Sequence, residues 1–493
     1  MSSQANPQTS LALLGQRLAQ CGLLLYVIFA PHSIAAAEIA VAISALGWLI
    51  RTLATGTTGL RRSKFDLVIL LFLLWTAASS FLSAEPRISI LKLMPCWVVF
   101  LFYLTRAIVT KRSALVFVSV LILSGMAGVV YSVYDLVRGR GVVVESLMRD
   151  SPFQQVGVGP GDTIWRLNSR RVYSKADIDA AIKSAPLDKP ISVSIISQGE
   201  HVERQGLSIN AAQQTQPSPS GILGGARSHR FRASGWTRHY ETFSELLQMI
   251  AQLGLGLALA HLRNHGVNKY FKSAIVATTL LALGIALTAM RTVLVAFVFG
   301  ASLIAWRSAR GGAKVALTFA LFFMLAFGTV VVWQTRAQNA LSFADPSASL
   351  RAQVARVGFS RIILHPFFGH GMDAMKKHWN EWGFPGTDMI HLHSTPLQLA
   401  FDRGLPALLL WLWLIVRFGI SLARAERRAS DTSDTNSYGI LLGSLGALIG
   451  FFASSLFNYN FGDGEVALLF WWLMGITVVL EQEIGVNGGK QEQ

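Results

Sequence analysis

SALVFVSVLILSGMAGVVYSVY, residues 113–134, holds no charged side chain from end to end. A helix needs roughly 20 apolar residues to cross the hydrocarbon core of a bilayer, and this run is long enough. Lys111 and Arg112 precede it and Asp135 follows. Runs of the same character recur near 10–30, 33–52, 66–84, 90–109, 242–263, 271–289, 292–308, 313–334, 404–423, 437–457 and 464–481. The pattern predicts about twelve membrane spans. Composition points the same way: 52% of the 493 residues are hydrophobic, 14% are charged, and mean hydropathy is +0.45. A soluble globule of this length has no use for so much apolar surface. The first run has few charges before it and no small-residue cleavage site, so it reads as a retained helix rather than a signal peptide.

The formal net charge of +16 suggests nucleic acid until it is mapped. Basic residues cluster in alternate short loops: Arg51, Arg61, Arg62 and Lys64; Arg106, Lys111 and Arg112; Arg263, Lys269 and Lys272; Arg307, Arg310 and Lys314; Arg417, Arg424, Arg427 and Arg428. The positive-inside tendency places these loops in the cytoplasm. Both termini are then cytoplasmic, the long loops near 135–241 and 335–403 face outward, and nucleic acid is not an expected partner. Cys21 and Cys96 both lie in apolar runs and form no CxxC motif, so neither a disulfide framework nor a cysteine metal site is expected.

These loops divide the chain into 1–134 (five spans), 135–212 (a soluble module), 213–231 (a linker), 232–334 (four spans), 335–403 (an outer loop) and 404–493 (three spans and a tail). In the module, β-branched runs (Gly141–Val144, Ile191–Ile196), a Gly-Pro-Gly-Asp turn and an amphipathic helix near Lys175–Ser184 predict a small α+β fold. QQTQPSPSGILGGARS (213–228) reads as flexible from its Gln, Ser, Pro and Gly content. The outer loop 335–403 is dense in cations (Arg336, Arg351, Arg356, Arg361, Lys376, Lys377, Arg403) and carries five of the 11 histidines: His365, His370, His378, His391 and His393. Guanidinium forks match phosphate oxygens bidentately, so a polyanion at headgroup level is one reason for such a density. Solvated surface charge is the other, and it suits Lys376, Lys377 and Arg336. His391-x-His393 opens a third option: with His370, Asp373 and His378 it has the makings of a zinc site, though no HExxH accompanies it.

Two resemblances sharpen this reading. In 141–209, Ser151-Pro152 before Gly157, Gly161-Asp162-x-Ile164 leading into Leu167-Asn168, and Val172 before the helix resemble a PDZ domain of the bacterial periplasmic kind. Such domains add an extended peptide to a sheet edge. The resemblance requires the first strand and carboxylate-binding loop to come from Tyr134–Arg140, whose sequence YDLVRGR lacks the usual pattern, so a structural lobe and a peptide-binding lobe both stay open. In SLRAQVARVGFSRIILHPFFGHG (349–371), a helix starting near Arg351 ends at His365-Pro366, and a glycine turn follows. With His393-Ser394 and Gly404 this set resembles the O-antigen ligase and polymerase family of bacterial envelope glycosyltransferases. RASGWTRHYETFSELL (232–247) and TAMRTVLVAF (288–297) are similar to that family's other outer segments, with Gly235, His239 and Thr242 in register and Arg291 outside.

The resemblance implies an all-α polytopic fold of the membrane glycosyltransferase (GT-C-like) kind, here with the small PDZ-like domain inserted, in a bacterial inner membrane. It implies transfer of a glycan from undecaprenyl pyrophosphate to an acceptor hydroxyl, without metal or other cofactor. The expected partners are that donor, a lipid A–core or glycan acceptor, membrane lipid and a peptide or protein ligand of the PDZ-like domain. His393 is the expected base, because an imidazole accepts a proton at neutral pH. Arg351 and Arg291 are expected to hold the departing pyrophosphate. Arg356, Arg361, His239, Arg232, Ser394 and His391 are the expected substrate-binding residues, Ser394 orienting the base or capping the next helix. Ligation to lipid A–core is preferred over polymerisation of repeat units or protein glycosylation on the His-Ser-x9-Gly spacing. A transporter or a PDZ-bearing scaffold is the competing class; carriers usually show repeated halves and midplane charges, and neither is evident here.

Overall fold

The computed structural model describes residues 7–168, 170–187, 189–197, 200–229, 231–237, 239–318, 346–386 and 391–488. Among these, nine helices are long and apolar enough to span a membrane: 10–29, 34–55, 111–138, 240–265, 269–287, 291–308, 395–430, 435–455 and 464–484. The chain divides into two compact units, 1–128 with 236–286 and 290–493, and 129–235 with 287–289.

In the helical unit, three of the spanning helices form the packed interior. The apolar windows of 240–265, 435–455 and 464–484 are 83–89% buried, against 28–39% for most of the others. Lipid tails are as apolar as Leu, so helix association depends on close packing. Helices 240–265 and 435–455 meet at Gly256 and Gly443, where a Cβ on Gly256 would stand 2.3 Å from the Gly443 nitrogen. Ser33 caps helix Ile34–Thr55 by accepting from the Ala36 N–H at 3.4 Å, and Gly56 ends it in the left-handed region.

Two expected spans take other forms. The run at 90–109 is broken into helix Pro86–Leu91, a 3₁₀ turn Met94–Val99 and helix Phe100–Ile108. Pro95 falls in the middle of it, and a proline ring removes one helical hydrogen bond and clashes with the preceding turn. The last helix of this series is too short to cross a bilayer unaided. Helix Asp66–Leu82, expected over 66–84, is also shorter than the rest. The span expected at 313–334 lies mostly outside the described residues. The span expected at 404–423 begins nine residues earlier, at Thr395, and runs to Ser430 with a break at Gly404. The stretch 335–403, expected as an outer loop, is therefore partly helical among its described residues, containing Pro346–Leu364 and the start of this helix.

The second unit is built on an antiparallel sheet of order β5-β4-β2-β1-β6, with β3 off β2. The strands are β1 (Val142–Leu147), β2 (Thr163–Leu167), β3 (Arg170–Arg171), β4 (Ile191–Ser197), β5 (Glu200–Leu207) and β6 (Ile222–Arg227). Helix Lys175–Lys183 closes its core, with Ser174 and Asp177 in a reciprocal capping box. Ile178 and Ile182 of that helix are buried with Val142, Val144, Ile164, Leu167, Val193 and Ile195. Two expectations change. Residues 134–138 stay helical as the end of Lys111–Arg138 and supply no strand. The stretch 213–231, read as a linker from its composition, instead contributes β6, paired with β1.

Candidate active site

The motif residues meet at the break in helix Thr395–Ser430. Gly404 has φ 80° and ψ 170°, and a Cβ there would lie 1.8 Å from the Phe367 carbonyl oxygen. Two residues on, Pro406 has no N–H to offer the Asp402 carbonyl. The carbonyls freed by the break are taken by the glycine turn of HPFFGHG: His370 N–H donates to Phe401 (2.8 Å) and Gly371 N–H to Asp402 (3.0 Å). The Leu405 N–H, released in turn, donates to Pro366 at 2.7 Å. Gly369 (φ 69°) is needed because a Cβ would stand 2.5 Å from the Asp402 carbonyl carbon. The glycine turn and the distant Gly404 therefore interlock.

His370 belongs to this joint rather than to chemistry. Its ring stacks on Phe401 at 4.6 Å, and its Nε2 lies 3.0 Å from the Arg361 carbonyl. Burial lowers its pKa. Arg361 donates to the Trp382 carbonyl (3.1 Å) and lies over that ring, while Arg356 is exposed.

The segment 391–394 is fixed from one side by Gln398. Its Oε1 accepts the Leu392 N–H at 2.7 Å, and its Nε2 donates to Asp402 at 2.8 Å. His393 is thereby held at φ 49°, an unusual backbone for a non-glycine residue. Ser394 stands at the N-cap position; its carbonyl accepts from Gln398 N–H (2.8 Å), but its side chain makes no capping bond. The His391 and His393 rings meet edge to face at 4.4 Å, and Tyr459 lies 5.7 Å from His391. Burial pushes the His393 pKa down to about 3, helped by His391 and the Arg351 charge. His391 is lowered mainly by burial, and its Nδ1 is buried without a partner among the described residues. Both rings are neutral at physiological pH.

Arg351 reaches this group from helix Pro346–Leu364. One of its nitrogens lies 3.5 Å from Glu241, in the first turn of helix Tyr240–His265, and its Nε is buried without a partner among the described residues. A half-exposed ion pair of that length is weak, about 0–1 kcal/mol, so the guanidinium keeps donors for another anion. Arg291 opens its own helix and is exposed. Its neighbour Thr292 accepts from Asn458 Nδ2 at 3.3 Å, and the Asn458 carbonyl accepts from Thr395 N–H at 3.1 Å. That chain of bonds ties the Arg291 helix to the segment bearing His393. Behind it, Glu245 is buried and bonded to Ser454 and Asn458. His239 is exposed at the start of helix Tyr240–His265. Arg232 is half-buried and lies in the sheet-bearing unit.

A cavity of about 330 Å³ adjoins the histidines. Its polar wall includes His391, Gln398, Asp402, Arg403, Tyr459, Lys92 and Asp373; its apolar wall includes Phe72, Val98, Phe461 and Trp471. Such a lining suits an amphiphile with a charged head. Burial raises the pKa of Tyr459, so its phenol stays protonated. Among the described residues no group of three His, Cys, Asp or Glu side chains is placed to hold a metal ion. His378 is instead bonded to Glu85 (2.7 Å) and Glu381 (2.6 Å).

Glu241, Gln398, Asp402 and Tyr459 were not singled out in the sequence. Gln398 and Asp402 share a helix face at i, i+4, which is a usable signal; Glu241 and Tyr459 approach from remote segments and leave none. The family model described as O-antigen ligase matches residues 276–412. No match was found among curated proteins. That stretch contains Arg291, Arg351, the HPFFGHG turn, His393 and Gly404, so over 276–412 this polytopic membrane protein is similar to the O-antigen ligase family, a likeness that supports a glycosyltransferase-type role in O-antigen processing.

Proposed function

We propose that the protein transfers a glycan from undecaprenyl pyrophosphate to a hydroxyl of lipid A–core at the outer face of a bacterial inner membrane. The single observation that carries this reading is the paired His391 and His393 rings, His391 lining an amphiphilic cavity, within the electrostatic reach of Arg351. In the step we propose, the acceptor oxygen attacks the anomeric carbon, the bond to pyrophosphate breaks with its electron pair leaving on phosphate, and the hydroxyl proton passes to His393. Negative charge grows on the leaving diphosphate. Arg351 and Arg291 are the cations assigned to it, acting in a partly dehydrated site where such charges count most. A diphosphate drawn close would also raise the His393 pKa from its depressed value, since an anion favours the protonated ring. The empty site thus holds the base neutral, and the bound donor strengthens it. The proposed reaction requires no metal or other cofactor.

Arg356 and Ser394 are assigned to the rim of the donor site. His239 and Arg232 are each kept as substrate-binding candidates, and the sheet-bearing unit is read as PDZ-like. The positive-inside tendency puts both termini in the cytoplasm and both long loops outside. The test is the surface polysaccharide of a deletion strain carrying the native gene, His393→Ala or Arg351→Ala. Ligation predicts that the native gene restores long chains on the core, that both variants leave capped core without them, and that all three proteins insert equally. Full chains with both variants would remove the proposed site. Single repeats on the core of the deletion strain would instead indicate polymerisation.

A further inference from the structure

Gln398 fixes the His393 segment from one side; the turn at 458–460 fixes it from the other. Thr395, two residues past His393, gives its N–H to the Asn458 carbonyl at 3.1 Å. Its hydroxyl is shared between that carbonyl (3.1 Å) and Asn460 Oδ1 (3.0 Å). Thr395, Asn458 and Asn460 are all buried. In so dry a place each hydrogen bond is stronger than in water, and each one left unmade is costly. The position of His393 therefore follows the position of the two asparagines.

Both asparagines are held in turn by Glu245, which is only 3% exposed. The Asn458 amide donates to one of its oxygens at 2.9 Å and the Asn460 amide to the other at 3.4 Å. Ser454 Oγ lies 2.6 Å from each oxygen. Glu245 stands one turn past Glu241 on helix Tyr240–His265, so the two share a face. Glu241 meets Arg351 at 3.5 Å. One helix face thus indexes the cation directly and the base through the asparagines. A glutamine would have the shape of Glu245 but an acceptor on one side only. Its N–H2 would face an asparagine amide, and one of the two asparagines would have to turn or lose its bond.

We propose that Glu245 is a positioning residue for the base: through Asn458, Asn460 and Thr395 it sets the place of His393. The inference rests on the glycan-transfer reading and adds to it a group buried behind the reacting ones. A displacement of about 1 Å at a reacting group can cost 100-fold in rate, so a carboxyl that fixes the base is felt in the chemical step rather than in donor affinity.

The test follows glycan transfer by the full chain in nanodiscs, with purified donor and acceptor, for the native protein, Glu245→Gln, His393→Ala and the two changes combined. Glu245→Gln should lower kcat by about 10- to 100-fold and leave KM for the donor within about twofold, the pattern of a contact that matters in the transition state. In the His393→Ala background it should lower the residual kcat no further, because the group it positions is gone. If Glu245→Gln does not fold, Ser454→Ala, which removes one donor to the carboxyl, makes the same comparison with a smaller loss. A native kcat in the Glu245 variant, or an equal loss in both backgrounds, would overturn the positioning role while the transfer reading stands. Full transfer by His393→Ala would instead remove the transfer site, and the positioning role with it.

Discussion

His393 combines a left-handed backbone with a ring whose pKa burial pushes down to about 3. The sign of the consequence is fixed. The folded group binds its proton less readily than the unfolded one, so it favours folding above the ordinary histidine pKa, and that contribution is lost as pH falls from about 6.5 toward 3. Melting in detergent should therefore drop over that interval, and less steeply in His393→Gln. Activity follows the same logic. The free protein already holds the neutral ring, so kcat/KM should stay flat from pH 8 to below 6; an acid limb near 6.5 would show an ordinary, solvated histidine. Loss of the base in His393→Ala should lower transfer by about 100-fold or more, measured with purified donor and acceptor. His393 and Arg351 were legible as members of a spaced motif. Glu241 was not, because it meets Arg351 through a fold that brings residues 241 and 351 together, and a linear pattern records no such approach.

The broken helix Thr395–Ser430 and the glycine turn form one joint, and substitution there should be costly. Gly404→Ala would place a Cβ against the Phe367 carbonyl at a positive φ. It should lower stability by about 3 kcal/mol or more and abolish transfer, read as a fall in melting temperature and a loss of product. Gly419→Ala in the same helix is the control. Its Cβ would meet only Leu448 Cδ2, at an ordinary 3.7 Å, and the change should be neutral or stabilising by about 0.5–1 kcal/mol. Apolar runs revealed most helices, since bilayer thickness dictates their length. They misread 90–109, where hydropathy continues smoothly through Pro95 while the backbone turns into a 3₁₀ segment that helps line the cavity. They also missed the helical start at Thr395: polar residues there face Asn458 and Asn460 rather than water. Composition misread 213–231 for a related reason, because a glycine-rich strand borrows its order from β1.

At the scale of the molecule, the chain divides into a helical unit that holds the catalytic candidates and a smaller unit built on an antiparallel sheet. The proposed topology is testable with single cysteines in a background where Cys21 and Cys96 are replaced by Ser. Ser184→Cys, on the exposed end of helix Lys175–Lys183, should react with an impermeant maleimide in intact spheroplasts. Ser433→Cys, in the exposed turn before helix Thr435–Ser455, should react only after permeabilisation. Labelling of both in intact cells would invalidate the charge-based orientation.

Because the turn at 365–371 locks onto the helix at 401–405, the eleven residues from Ser394 to Gly404 work as a ruler. A helix turns by about 100° per residue, so one inserted alanine between Gln398 and Asp402 would swing the histidine pair around the helix axis and out of the cavity wall.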